Sequence, residues 1–329
     1  MANGAHRDDW DPAAGRGQRA ARREERQRQI RRRRLVAGGA LALIVVAVVA
    51  VIASAGGSGG GNSATTAGAG HGKHAKPRKA GGESGGSGSA GEVRNATPQP
   101  GWKPHTGPVP ILEYHVLGRP QGEVPYPELY VGRSDFSKQM DWLEEQGYEG
   151  VTLEEVEEAW YHGGTLPAKP VVISFDDGYR PQYTFALPEL RKHGWPGLLN
   201  LKAEGSELYE SNVKAMLAAG WELAAHTINH SDLTTLEGEA LEEEVAGSRK
   251  ILQRDYGVPV KNFCYPAGKF DEATIAAVEK AGYVGATTEI PGFATSESPY
   301  ELARIEVLGD FGVRGLAAAM RSGAEAAGA

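Results

Sequence analysis

From Pro108 onward the chain alternates short apolar or β-branched runs with stretches of helical period, and this alternation excludes most architectures at once. Pro110 to Tyr114 reads as a first strand. A helix is expected from Ser134, a candidate cap, to about Gln146, with Phe136, Met140 and Leu143 on one apolar face; a second is capped by Thr152 and runs to about His162. Further strands are expected from Val171, Gly197, Glu222, Asn262, Tyr283 and Leu302, and further helices from near Pro181, Asn212, Leu236, Glu272 and Val313. Repeated β-then-α units over about 215 residues predict a parallel sheet with helices outside it, either open or closed into a barrel. In both forms reactive groups gather at the C-terminal ends of the strands.

Three of those strand ends carry chemistry. Val171-Val172-Ile173-Ser174-Phe175 runs straight into Asp176-Asp177-Gly178. Neighbouring aspartates on a strand point apart unless the backbone turns, which Gly178 permits. Two carboxylates in a partly dry site repel each other unless a cation sits beside them, and a divalent metal does this best; the same three residues are also ordinary turn composition. Trp221 to Ala225 runs into His226-Thr227-Ile228-Asn229-His230. Histidines at i and i+4 lie on one side of a helical turn, close enough to share an ion, and two histidines with one carboxylate leave coordination positions open for water and substrate. At the third end, Phe263-Cys264-Tyr265-Pro266-Ala267-Gly268, proline and glycine shape a tight loop expected to leave a backbone N–H free as half of an oxyanion hole.

Composition divides the chain. Residues 1–34 hold eleven arginines against five acidic residues and read as a basic cytoplasmic tail. Residues 35–55 are uncharged and about the ~20 residues needed to cross a bilayer, so a signal-anchor helix is expected, with the rest outside; Ala53-Ser54-Ala55 offers signal-peptidase cleavage as the rival. Charge abutting a membrane span is read as topological, and no nucleic-acid partner is expected. Residues 56–104 read as a disordered Gly/Ser-rich linker, and 105–325 as one folded extracellular domain, expected to be monomeric. Residues 101–329 carry 19 Lys and Arg against 35 Asp and Glu, a net charge of −16 beneath the overall −7. The run Glu242-Glu243-Glu244 reads as a solvated helix face. Cys264 is the sole cysteine, so no intrachain disulfide forms.

Ser174-Phe175-Asp176-Asp177-Gly178 and His226-Thr227-Ile228-Asn229-His230, in that order and about 50 residues apart, resemble the leading motifs of the polysaccharide deacetylase family, carbohydrate esterases sharing the chitooligosaccharide deacetylase (NodB) homology domain. The resemblance covers roughly Pro108 to Gly312. It implies an α/β fold, a distorted, incomplete (β/α) barrel of the seven-stranded type. It also implies metal-dependent removal of N-acetyl groups from N-acetylglucosamine-containing cell-wall or extracellular polysaccharide, with release of acetate. Carried over by position, Asp177, His226 and His230 bind one divalent ion, Zn2+ first and Co2+, Ni2+ or Mn2+ as alternatives, and Asp176 is the general base. Tyr265 N–H joins the metal at the oxyanion, Thr227 fixes the histidine loop, Pro266 and Gly268 shape the third loop, and Tyr179 and Tyr265 are candidate sugar platforms.

Two departures from the family pattern matter. Its third motif opens with an arginine that orients the base, and Cys264 stands there instead; Arg180 and Arg304 are candidate substitutes, Arg304 preferred. The late Leu-x-His that supplies the acid is missing, since no histidine follows His230. Glu113-Tyr114-His115 resembles the Tyr-His of an exopolysaccharide-deacetylase-like subgroup, and in a closed barrel the first and last strands are neighbours, so His115 is expected to be the acid. Two other functions stay open at this point: a non-catalytic carbohydrate- or wall-binding module on a deacetylase scaffold, and a metal hydrolase for O-acetyl esters or small cyclic amides.

Overall fold

The computed structural model describes residues 93–328. The expected basic tail, the membrane anchor and most of the linker lie outside them. Among the described residues no helix is long and apolar enough to cross a membrane. Within the stretch expected to be linker, residues 93–104 pack onto the body: Asn95 is fully buried, its N–H donates to Gly194 O (2.9 Å) and its side-chain amide to Gly150 O (3.1 Å). Lys103–Pro104 then pairs antiparallel with Thr165–Leu166.

Seven parallel strands form the body: β1 Ile111–Tyr114, β2 Pro170–Asp176, β3 Leu198–Leu201, β4 Glu222–Ala225, β5 Asn262–Cys264, β6 Gly285–Pro291 and β7 Leu302–Glu306. β2 through β7 pair in chain order, and β1 lies between the two ends, opposite β2 in the register Ile111↔Val172 to Tyr114↔Phe175 and opposite β7 at Ile305↔Leu112. The ring is therefore closed. It is incomplete only in having one strand fewer than an eight-stranded barrel. The helices are α1 Arg133–Glu145, α2 Leu153–Tyr161, α3 Leu187–His193, α4 Glu210–Ala218, α5 Ser248–Tyr256, α6 Glu272–Lys280 and α7 Gly312–Ala327. Thr152 caps α2 through a reciprocal pair with Glu155, as its sequence promised. Ser134 instead lies inside α1, whose cap position is Gly132 with no side-chain bond.

Alternation along the strands sorts the side chains into two cores. Ile111, Val172, Leu198, Ala224 and Leu302 pack with Val151, Leu153 and Val156 into an apolar floor inside the ring, at the N-terminal end of the strands. Leu112, Tyr114, Ile173, Phe175, Leu199, Leu223 and Phe263 face the helices. Burying each such side chain stabilises the fold by about 1.5–3 kcal/mol. Above the floor the interior turns polar, with Glu113, Ser174, Asp176, Asn200, His226, Cys264, Thr287 and Arg304 all buried. A dry floor under a charged layer leaves the C-terminal mouth as the reactive end.

Candidate active site

Strain marks the mouth. Among the described residues, the non-glycines with positive φ are Asp177 (73°), Thr227 (62°), His230 (62°) and Ala267 (50°), and all four lie in the three motif loops. Each such conformation costs on the order of 1–3 kcal/mol and persists where the surroundings over-determine it. Gly178 is obligatory, because at φ 76° a Cβ there would lie 2.3 Å from Ser206 Oγ. Gly268, at φ 58°, would place a Cβ 2.5 Å from that of Glu289.

Asp177, His226 and His230 converge. Asp177 Oδ1 lies 3.9 Å from His226 Nε2 and 3.6 Å from His230 Nε2, and the two imidazole centroids are 4.8 Å apart. The histidines meet across a non-helical turn, which the left-handed Thr227 and His230 fold back, rather than along the helical turn their spacing suggested. His226 Nδ1 is 2.9 Å from Cys264 O; a carbonyl only accepts, so Nδ1 carries the proton and the Nε2 lone pair faces Asp177. Burial, partly offset by Asp176 and Asp177, pushes the His226 pKa down to about 4, so the ring is the neutral ligand form at pH 7. Asp177 Oδ1 is buried and accepts no hydrogen bond, with Lys202 Nζ 3.4 Å away. An orphaned carboxylate oxygen and two converging imidazole lone pairs fit a divalent cation.

The histidine loop is clamped from two sides. Thr227 Oγ1 accepts the His230 N–H at 2.8 Å. Glu244 takes four donors: Ile228 N–H (2.9 Å) and Asn229 N–H (3.2 Å) on one oxygen, Asn229 Nδ2 (3.1 Å) and Ser231 Oγ (3.0 Å) on the other. Burial would raise the Glu244 pKa, but these bonds, with those from Asn229 foremost, hold it below the usual carboxylate value. The solvated-face reading of Glu242-Glu243-Glu244 is thereby corrected for its last member, which a π-turn at Glu243–Gly247, leading into α5, places beneath the loop.

Asp176 is fully inside the ring. Arg304, and not the exposed Arg180, fills the role of the absent motif arginine. Its Nη1 and Nη2 each donate to Asp176 at 2.9 Å, Nη1 also reaches Ser174 Oγ at 3.3 Å, and Nη2 lies 3.2 Å from Glu113 Oε2. Arg304 Nε donates to Thr288 O at 2.9 Å, inside the register shift between β6 and β7, where the ladder leaves a carbonyl available. Asn200 Nδ2 donates to Asp176 Oδ1 at 2.7 Å, and the Cys264 thiol makes a weaker 3.5 Å contact with Oδ2. Burial would raise the Asp176 pKa, yet the Arg304 charge, then His226, holds it well below the usual carboxylate range. His115 stands across from it, Nε2 3.8 Å from Glu113 Oε1, with ligand atoms of Glu113, His115 and Asp176 all within 4.8 Å of one another. Gln182 ties the two strand ends together through Asp176 O (2.6 Å) and His115 O (3.0 Å).

Tyr265 is a correction. Its N–H donates to Thr287 O at 3.1 Å, because the β5–β6 ladder runs one residue further than expected, so that group is not available to an oxyanion. Its ring is fully buried, stacked on Phe270 at 4.9 Å, and offers no platform to a sugar. Tyr179 is half-buried beside Asp177; burial and then that charge raise its phenol pKa. Pro266 opens the short turn Pro266–Gly268 and is buried. Glu244, Gln182, Asn200 and Lys202 are site residues that no sequence motif announced.

A family model described as polysaccharide deacetylase matches residues 163–286. The Bacillus subtilis protein YxkH, assigned by its name to the polysaccharide deacetylases, is 31% identical over 204 residues, which span 60% of this chain and 71% of its own length. A Staphylococcus aureus poly-β-1,6-N-acetyl-D-glucosamine N-deacetylase is 26% identical over 200 residues, 55% of this chain and 68% of its own. The solved structure of the Streptococcus pyogenes deacetylase PplD in complex with acetate superposes with a TM-score of 0.61 at 23% identity, over 66% of this chain and 99% of that one, a likeness of fold.

Proposed function

The chain belongs to the polysaccharide deacetylase family, and from that premise we propose that it hydrolyses N-acetyl groups on an N-acetylglucosamine-containing polysaccharide of the cell wall or extracellular matrix, releasing acetate. The observation that carries the reading is the convergence of three ligand atoms, from Asp177, His226 and His230, at the same barrel mouth as the Arg304-paired Asp176. Asp177, His226 and His230 would hold one divalent ion, with zinc the best match to two imidazoles and a carboxylate. When bound, such an ion supplies Lewis acidity that lowers the pKa of a water ligand towards ~7.

The protein's own groups do the rest. Asp176 is oriented by the Arg304 fork and accepts the proton of the attacking water at Oδ2, the oxygen whose thiol contact is weak enough to be displaced. His115 delivers a proton to the departing amine. Tyr179 lines the approach. Thr227 and Glu244 hold the histidine loop, and Pro266 and Gly268 hold the third. The non-catalytic alternative drew on the absent motif arginine and the absent late histidine; the Arg304 pair with Asp176 speaks against the first ground, and His115 is proposed to answer the second. Residues 35–55 are taken as the anchor that keeps the domain outside the cell, within reach of polymer.

The test is acetate release from β-1,4- and β-1,6-linked N-acetylglucosamine oligomers and from O-acetyl esters, with and without chelator, for the wild type and Asp176→Asn. Chelator-sensitive release from the amides that Asp176→Asn abolishes is expected. Release from esters alone, or equal release by the variant, would overturn the proposal.

A further inference from the structure

Glu113 occupies an inward position of β1, fully inaccessible to solvent, with no part in the mechanism above. Its oxygens accept no hydrogen bond; the nearest charged atoms are Arg304 Nη2, 3.2 Å from Oε2, and His115 Nε2, 3.8 Å from Oε1. The groups facing it are His115 just beyond its own strand, Asp176 on β2, Cys264 on β5, Glu289 on β6, and Arg304 and Glu306 on β7. One guanidinium thus serves several carboxyls, and its fork is spent on Asp176. A second carboxylate beside that pair in a dry interior is disfavoured, so Glu113 keeps its proton. In agreement, burial, only partly countered by Arg304, raises its pKa well above the usual value. A neutral carboxylic acid has an O–H to give, and His115 is the acceptor within reach. The 3.8 Å gap is about 1 Å beyond hydrogen-bond contact, a distance that the transfer must close.

We propose that Glu113 is a proton relay behind His115: its O–H bond breaks and an Nε2–H bond forms as the ring's Nδ1–H proton passes to the leaving nitrogen. The electron pair of the breaking C–N bond stays on that nitrogen and takes up the Nδ1 proton; Glu113 is left as the carboxylate beside Arg304. After the products leave, water reprotonates Nδ1 and the Nε2 proton returns to Glu113. The ring therefore never has to hold a full positive charge before the amine departs. This inference rests on the deacetylase reading, and specifies where the acid's proton is stored.

The test uses the full-length, metal-loaded protein. Glu113→Gln keeps size and neutrality but has no acidic proton. A relay predicts a 10- to 100-fold fall in kcat, with KM and bound metal within twofold of wild type and the thermal midpoint unchanged. Glu113→Ala should be rescued by formate, saturably and in proportion to the formic acid form. A merely structural glutamate predicts a near-wild-type Glu113→Gln and no rescue, and either result in a folded variant overturns the proposal. Should both variants fail to fold, the wild type still decides: kcat against deuterium fraction curves if two protons move together, and a straight line overturns the relay. Absence of acetate release by the wild type would instead sink the deacetylase reading.

Discussion

Replacing Glu244 tests whether the histidine loop is held from below. Alanine removes the acceptor of four donors at once. Asn229 is exposed and Ser231 half-exposed, so their side chains turn to water at small cost. The Ile228 N–H is buried and cannot; leaving it unpartnered costs about 1–3 kcal/mol, and loss of the charge-assisted bond to Asn229 N–H brings the total to about 3 kcal/mol. For a domain of this size 1 kcal/mol moves the midpoint by about 2–4 °C, so Glu244→Ala should melt roughly 6–12 °C lower. Glu244→Gln retains a carbonyl for both backbone donors but sets its amide against Asn229 Nδ2, and should cost about 1 kcal/mol. The sign with pH follows from the depressed carboxyl: its contribution is complete above the unfolded pKa of about 4.3 and is lost as pH falls through the lower folded value, so the acid limb of wild-type stability should exceed that of Glu244→Ala. Because the loop carries His226 and His230, zinc affinity by calorimetry should fall about 10- to 100-fold in Glu244→Ala. Were Glu244 a solvated side chain, both variants would sit within about 0.5 kcal/mol of wild type with unchanged affinity, and that result would refute the clamp.

Other outcomes follow from the same geometry. Arg304→Met strands the Asp176 carboxylate in a dry interior and should cost about 3–5 kcal/mol in urea unfolding; a variant as stable and active as wild type would dismiss the fork as the base's counter-ion. His226 is neutral down to about pH 4 in the fold but titrates near 6.5 when unfolded, so chelator-treated protein should lose roughly 3 kcal/mol of stability between those values, while His226→Asn shows a flatter profile in the same assay. His115→Gln should lower kcat by about 10^2- to 10^4-fold with KM little changed, and full retention of kcat would remove it as the acid.

Much of this was legible in the chain because strand ends are punctuated. The apolar runs leading to Asp176 and His226 end abruptly in charged and turn-forming residues, and the periodicity outside them is clear enough to place all seven strands. Arg304 was legible only as the preferred of two candidates for the arginine that the family pattern expects, and its burial against Asp176, with Arg180 exposed, decides between them. Other features depend on single-residue register, which periodicity does not resolve. One extra pairing, Tyr265 with Thr287, removes the expected oxyanion donor, and one inserted residue in the π-turn Glu243–Gly247 turns Glu244 inward. Val93 to Pro104 has the composition of a tether, and only the partners of Asn95, distant in sequence, show it to be part of the body.

The guanidinium facing Asp176 rides on the same stave that seals the ring between β1 and β6. A nascent chain halted before residue 300 would own every ligand atom of the centre yet lack the counter-charge of its base. The proposed base thus acquires its counter-charge only when the last strand closes the ring.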